Sequence, residues 1–159
     1  HSGKNWLEAK GDMEFAIVPM TSAHLEQIEA LEKICFSDPW SRKTLEDMVS
    51  NESAVNLAAV DPAGLVLGYI SLYRVLDEGY INNVAVRPEA RRQGVATALL
   101  QELRRQGGEL AFISLEVRES NQGARTLYDG LGYREAGRRR GYYFHPKEDA
   151  IIMTLELKK

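Results

Sequence analysis

The sequence predicts an α/β domain with a mixed, mostly antiparallel central sheet flanked by helices. Three observations carry that prediction. Apolar runs of strand length, bounded by Pro, Gly and Asp, recur along the chain. Those at 56–60, 66–76 and 80–86 follow one another through tight-turn sequences and read as an antiparallel meander. Helical and extended patterns then alternate towards the end of the chain, the mark of an α/β sheet.

Residues 1–12 lack apolar periodicity and Met13 reads as a native start. The domain is therefore expected over 13–159, behind a tag or disordered leader. Phe15-Ala-Ile-Val18 is a strand ending at Pro19. Thr21 or Ser22 caps a helix with Leu25, Ile28, Leu31 and Ile34 on one face. Ser37-Asp-Pro-Trp-Ser41 breaks that helix, and Ser41 caps a short second one carrying Leu45, Met48 and Val49. Asp61-Pro-Ala-Gly64 and Asp77-Glu-Gly79 supply the turns of the meander. A helix over 92–106 turns Val95, Leu99, Leu100 and Leu103 to the core and stops at Gly107-Gly108. A strand at 112–117, a helix at 121–131 and strands at 133–140 and 150–157 complete the order.

The 159 residues suit one domain with a sizeable core. A net charge of -3 gives no global attraction to nucleic acid. No apolar run is long enough to span a membrane, and no secretory pattern is visible. A single cysteine, Cys35, excludes an internal disulfide, and with three scattered histidines it makes a poor metal inventory. The chain reads as a cytoplasmic protein with no metal. Cys35 has no adjacent histidine and lies on the buried side of its helix pattern, so it reads as a small core residue rather than a nucleophile.

The most informative stretch runs from Val84-Ala85-Val86, through Arg91-Arg92-Gln93-Gly94, into Val95-Ala96-Thr97. It leads from a strand through a basic loop to a helix start. There the first backbone N–H groups lack internal partners and the helix dipole adds positive charge, which suits a phosphate. Gly94 and Ala96 allow a pyrophosphate close to the backbone, while Arg91 and Arg92 offer charge-assisted hydrogen bonds. Neither a Walker loop nor a dinucleotide fingerprint is present. Read by itself, the loop is equally a solvated helix start with two arginines.

Arg91-Arg-Gln-Gly-Val-Ala96 resembles the Q/R-x-x-G-x-G/A motif of the GNAT acetyltransferases. Asn83-Val-Ala-Val-Arg-Pro88, Leu115-Glu-Val-Arg-x-x-Asn121 and Ala124-x-x-Leu-Tyr-x-x-Leu-Gly-Tyr133 are similar to that family's other motifs. The resemblance runs over nearly everything from Met13 onward. Asp38-Pro-Trp-Ser41, Arg139-Arg-Gly-Tyr-Tyr143 and Glu148-Asp-Ala-Ile-Ile-Met153 narrow it to the RimI-type ribosomal-protein-alanine N-acetyltransferases. It implies the GNAT fold, acetyl-CoA as acetyl donor, and the N-terminal segment of a protein, an alanine-started ribosomal protein, as acceptor. It also implies that the backbone of Val84, Ala85 and Val86 holds the pantetheine arm and that Asn121 contacts it.

The chemistry needs a neutral amine, a nearby thioester and a proton for the leaving thiolate. Freeing an α-amine at neutral pH costs about one pKa unit, roughly 1.4 kcal/mol, whereas a lysine costs more than about three units. A modest base, acting directly or through one water, therefore suffices for an α-amine. Read alone, Glu116 is a solvent-facing strand residue and Tyr128 a core tyrosine; the resemblance assigns them as base and acid. Asn121 also suits the cap of its helix. Glu78, in an Asp-Glu-Gly turn, is a rival base read as turn chemistry first. In the last hairpin, Tyr142 and Tyr143 offer rigid surface with a polar tip, and Asp149 or Glu148 an attraction for a cationic end. The nearby arginines suit a solvated edge strand. Two further readings stand beside the first: acetylation of a small amine such as a polyamine, and an acyl-CoA-binding regulatory module without turnover.

Overall fold

In the computed structural model, which describes residues 6–8 and 14–158, side-chain caps fix where the chain turns helical. Thr21 and His24 form a reciprocal capping box over the 3-10 turn Ser22–His24, which leads into α1 (Leu25–Cys35). Ser41 Oγ accepts the Thr44 N–H at 3.2 Å and opens α2 (Arg42–Ser50). α3 spans Val95–Gln106, and α4 spans Gln122–Gly130 behind the cap of Asn121. Among the described residues, no helix is long and apolar enough to cross a membrane.

Among the described residues, eight strands make a mixed sheet: β1 (Trp6–Glu8), β2 (Glu14–Pro19), β3 (Ala54–Val60), β4 (Val66–Val75), β5 (Glu78–Val86), β6 (Phe112–Arg118), β7 (Arg134–Tyr143) and β8 (Glu148–Glu156). The chain forms two compact units, one of residues up to Tyr73 with Asn82–Gln106, the other of Arg74–Ile81 with residues from Gly107 onward. Strand β5 contributes to both.

In the first unit the strand order is β1-β2-β3-β4-β5, with antiparallel pairing from β1 through β4. Its core joins Leu25, Ile28 and Leu31 of α1 and Leu45 of α2 to Val66 and Tyr69 of β4. The four α3 residues expected to face inward, Val95, Leu99, Leu100 and Leu103, are the buried ones. Burial of their apolar surface, roughly 1.5–3 kcal/mol for each large side chain, holds that helix in place.

Several details depart from the sequence reading. Trp6–Glu8 pairs with β2, Trp6 opposite Ala16 and Leu7 opposite Phe15, although residues 1–12 were expected to be leader. Three residues are too few to show an alternating pattern. The rest of that stretch, and the expected start at Met13, lie outside the described residues. Ile34 is 57% exposed, whereas Glu32 is fully buried. A helix advances roughly 100° per residue, which carries Glu32 back beside Leu25 and Ile28 and Ile34 away from them. α3 begins at Val95 rather than Arg92, because Arg92 and Gly94 have φ of 63° and 84°. The second turn of the meander sits at Leu76 and Asp77, so Glu78 and Gly79 already belong to β5.

In the second unit the order is β5-β6-β8-β7. Glu78–Tyr80 pair in parallel with Phe112–Ser114, and β6/β8 and β7/β8 are antiparallel. The period-2 alternation of β6 buries Ile113, Leu115 and Val117 and turns Glu116 and Arg118 to the opposite face. The last hairpin is longer than expected: Tyr143 pairs with Glu148, so Tyr142, Tyr143, Glu148 and Asp149 are strand residues.

Candidate functional site

The first unit carries the loop-helix that the sequence reading expects to bind a phosphate. β5 ends at Val86, a 3-10 turn (Pro88–Ala90) follows, and α3 opens at Val95. Ala98 N–H bonds Gly94 O at 3.0 Å, so the N–H groups of Val95, Ala96 and Thr97 precede the first intrahelical bond. Left-handed residues at Arg92 and Gly94 bend this loop, the kind of turn in which successive N–H groups converge on an anion. A Cβ on Gly94 would meet nothing within 4 Å, so its glycine serves the backbone angle and leaves open space above it.

The arginines divide the work. Arg92 is exposed. Arg91 instead reaches back, its Nε donating to Val86 O at 3.0 Å and its Nη2 lying 3.5 Å from Cys35 Sγ. Arg91 therefore ties the loop to the strand that precedes it. Gln93 Nε2 donates to Glu89 O at 3.3 Å and closes the turn. Cys35 is half-buried with its thiol directed at Val86 O, 3.7 Å away, and burial pushes that thiol up from its ordinary range. Cys35 packs against the core of the first unit from its margin, less deeply buried than its helix pattern led one to expect.

The second unit holds the candidate chemistry. Asn121 Oδ1 accepts the Ala124 N–H at 3.1 Å and caps α4. Tyr128 is buried, its ring 5.9 Å from that of Tyr133, and burial pushes its phenol well above the usual tyrosine range. Glu116 is partly exposed and meets Arg139 Nε at 3.5 Å. Tyr142 and Tyr143 pack edge to face at 5.0 Å. The Tyr143 phenol is raised first by burial and then by the nearby Tyr142, Glu116 and Tyr128, with Arg118 opposing.

Asp149 is a structural anchor. It accepts from Gly141 N–H at 2.8 Å and from Arg138 Nη1 at 2.9 Å, and these donors hold its carboxyl below the usual range. Arg138 also bridges to Glu119 at 2.6 Å. Gly141, at φ 60°, makes the irregularity in β7 where the ladder jumps from Arg139 to Tyr143. Glu148 accepts the Ser120 N–H at 2.6 Å. Glu78, the rival base, accepts a short hydrogen bond from the Tyr80 hydroxyl. Among the described residues, no group of three or more His, Cys, Asp or Glu side chains is placed to hold a metal ion.

Two features of the first unit escaped the sequence reading. Glu32, fully buried, accepts from Trp40 N–H at 2.8 Å, Tyr69 Oη at 2.5 Å and Asn83 Nδ2 at 2.7 Å. Burial pushes its carboxyl up, against the pull of these donors. Helical phase would have revealed it, as an acid on an apolar stripe. Gly68 lies against β5, where a Cβ would come within 2.6 Å of Ala85 O. A lone glycine in a strand pattern was the available signal.

A model of the Acetyltransferase (GNAT) family matches residues 25–133, well over half of the chain. The chain belongs to the GNAT acetyltransferases. The Escherichia coli K12 [ribosomal protein bS18]-alanine N-acetyltransferase is 38% identical over 133 residues, covering 80% of this chain and 87% of that protein. The Haemophilus influenzae enzyme of the same name is 32% identical over 146 residues, covering 89% and 98%. The crystal structure of the E. coli ribosomal-protein-S18-alanine N-acetyltransferase superposes with a TM-score of 0.83 at 34% identity, covering 91% of this chain and 95% of the other. Arabidopsis thaliana NAA60 in complex with acetyl-CoA shares the fold, with a TM-score of 0.82 at 20% identity over 89% and 99%. This GNAT enzyme is an acetyl-CoA-dependent N-acetyltransferase.

Proposed function

We propose that this acetyltransferase modifies the N-terminal α-amine of a protein, an alanine-started ribosomal protein, by direct transfer from acetyl-CoA. The observation that carries the proposal is the placement of Glu116 against the last hairpin, where it meets Arg139 at 3.5 Å, with the Arg139 guanidinium 6.0 Å from the centre of the Tyr142 ring. The names of its 38% identical relatives point to the same acceptor. Such a substrate places the reaction in the cytoplasm.

Glu116 takes the proton of the acceptor ammonium, directly or through a water. The freed amine attacks the thioester carbonyl, forming the C–N bond; the nitrogen then releases its second proton to solvent and the C–S bond breaks. Tyr128 gives its proton to the departing sulfur, and the proton held by Glu116 returns through solvent to the phenolate. Burial raises the Tyr128 phenol, which keeps its proton in place until a strong base such as a thiolate forms. Tyr142 and Tyr143 supply the rigid contact for the first residues of the acceptor, while Asp149 acts through Gly141 by fixing the bend of β7.

The test is acetyl transfer to a panel of Ala-started and Ser-started peptides, lysine peptides and polyamines. Transfer to the N-terminus of an Ala-started peptide is expected. Transfer to polyamines alone, or to nothing, would overturn the reading.

A further inference from the structure

We propose that Arg118 is the positioning residue that sets the β7–β8 hairpin for the acceptor peptide, which rests on the acceptor reading above. Arg118 ends β6, two residues beyond Glu116 and on the same face of the strand. Its side chain is 27% exposed, and both terminal nitrogens of its guanidinium reach the hairpin. Nη1 donates to Pro146 O at 2.9 Å and meets Glu148 Oε1 at 3.3 Å. Nη2 donates to Phe144 O at 3.0 Å. The guanidinium carbon lies 4.4 Å from the centre of the Tyr143 ring.

Residues 144–147 form the turn of the hairpin, outside the β7/β8 ladder, and Phe144 at its start is 61% exposed. Apolar burial therefore holds this turn weakly. Arg118 provides two charge-assisted hydrogen bonds to its carbonyls and a cation–π contact to the tyrosine that leads into it. Glu148 extends the brace, since its other oxygen accepts the Ser120 N–H just past β6. One strand thus fixes both the proposed base and the surface that presents the amine to it.

The geometry needs arginine. A planar fork donates in two directions while its face covers a ring; a lysine ammonium on one flexible stem cannot do all three. Two readouts test this in Arg118→Lys. Amides of 141–147 are expected to exchange hydrogen about tenfold faster, with the rest of the chain unchanged. The KM for an Ala-started peptide is expected to rise about tenfold, with the KM for acetyl-CoA held within about twofold. Wild-type exchange in the hairpin, or an acetyl-CoA KM rising in step with the peptide KM, would overturn the proposal. If Arg118→Lys exchanges fast throughout and has lost its fold, Tyr143→Leu decides, since it removes only the ring under the guanidinium. That variant should speed exchange at 144–147 several-fold, and an unchanged rate refutes the brace. A wild-type enzyme that ignores every peptide sinks the acceptor reading alone, because hairpin exchange still reports what Arg118 holds.

Discussion

A Cβ on Gly68 would sit 2.6 Å from the carbonyl oxygen of Ala85 and 3.3 Å from the Cα of Val86. Both are backbone atoms of the strand that leads into the anion-binding loop. Neither can step aside as a flexible side chain would. Gly68→Ala is therefore expected to displace the end of β5, lowering stability by about 1–3 kcal/mol and weakening acetyl-CoA binding. Thermal denaturation and calorimetric titration check this, and wild-type values in both would contradict it.

Gly94 makes a different demand. Its φ of 84° excludes most side chains on conformational grounds, although a Cβ there would find open space. Gly94→Ala is expected to cost about 1–2 kcal/mol of loop strain. Gly94→Asn, which tolerates the left-handed region, should recover part of that loss. Thermal denaturation checks this, and a Gly94→Asn variant no more stable than Gly94→Ala would contradict it.

Glu116→Gln and Tyr128→Phe each remove a proton-transfer group while preserving shape. Each is expected to lower kcat about 10²-fold, with acetyl-CoA affinity within about twofold of wild type. Steady-state rates that hardly change would remove that residue from the mechanism.

Glu32 predicts a pH dependence. Burial raises its carboxyl in the folded state, so the native protein binds this proton more tightly than the unfolded chain. Stability then falls as pH rises from the ordinary glutamate value of about 4.3 through the raised folded value. Glu32→Gln lacks this titration. The stability of the wild type relative to Glu32→Gln should decline with pH across that window, measured by chemical denaturation. A flat or rising difference would show that the three donors to Glu32 outweigh its burial.

Much of this molecule could be read from its residues, and the failures share a cause. Val95, Leu99, Leu100 and Leu103 gave a clean helical period, and they are the buried face of α3. Ser41 and Asn121 declared helix starts because a cap is a local hydrogen bond. Glu116 stood out only through its motif, since an acid on a strand looks the same facing solvent or substrate. The missed features are long-range. Glu32 meets Tyr69 and Asn83 across 37 and 51 residues, and Arg118 reaches Phe144 and Pro146 across 26 and 28. Local periodicity has no access to a partner that only folding brings near. Arg91 shows the same limit: its Nε donates to the carbonyl of Val86, a contact that the basic loop did not announce.

The short pairing of Trp6–Glu8 with Glu14–Ala16 bears on any shortened version of this chain. A version trimmed to begin at Met13 keeps every element from β2 onward but uncovers the outer margin of β2. Its backbone donors and acceptors, now satisfied by three residues, would face solvent as a ready template for another molecule's strand. Trimming would thus trade a brief, inexpensive guard for a tendency to self-associate, visible as concentration-dependent light scattering in a protein whose fold is otherwise intact.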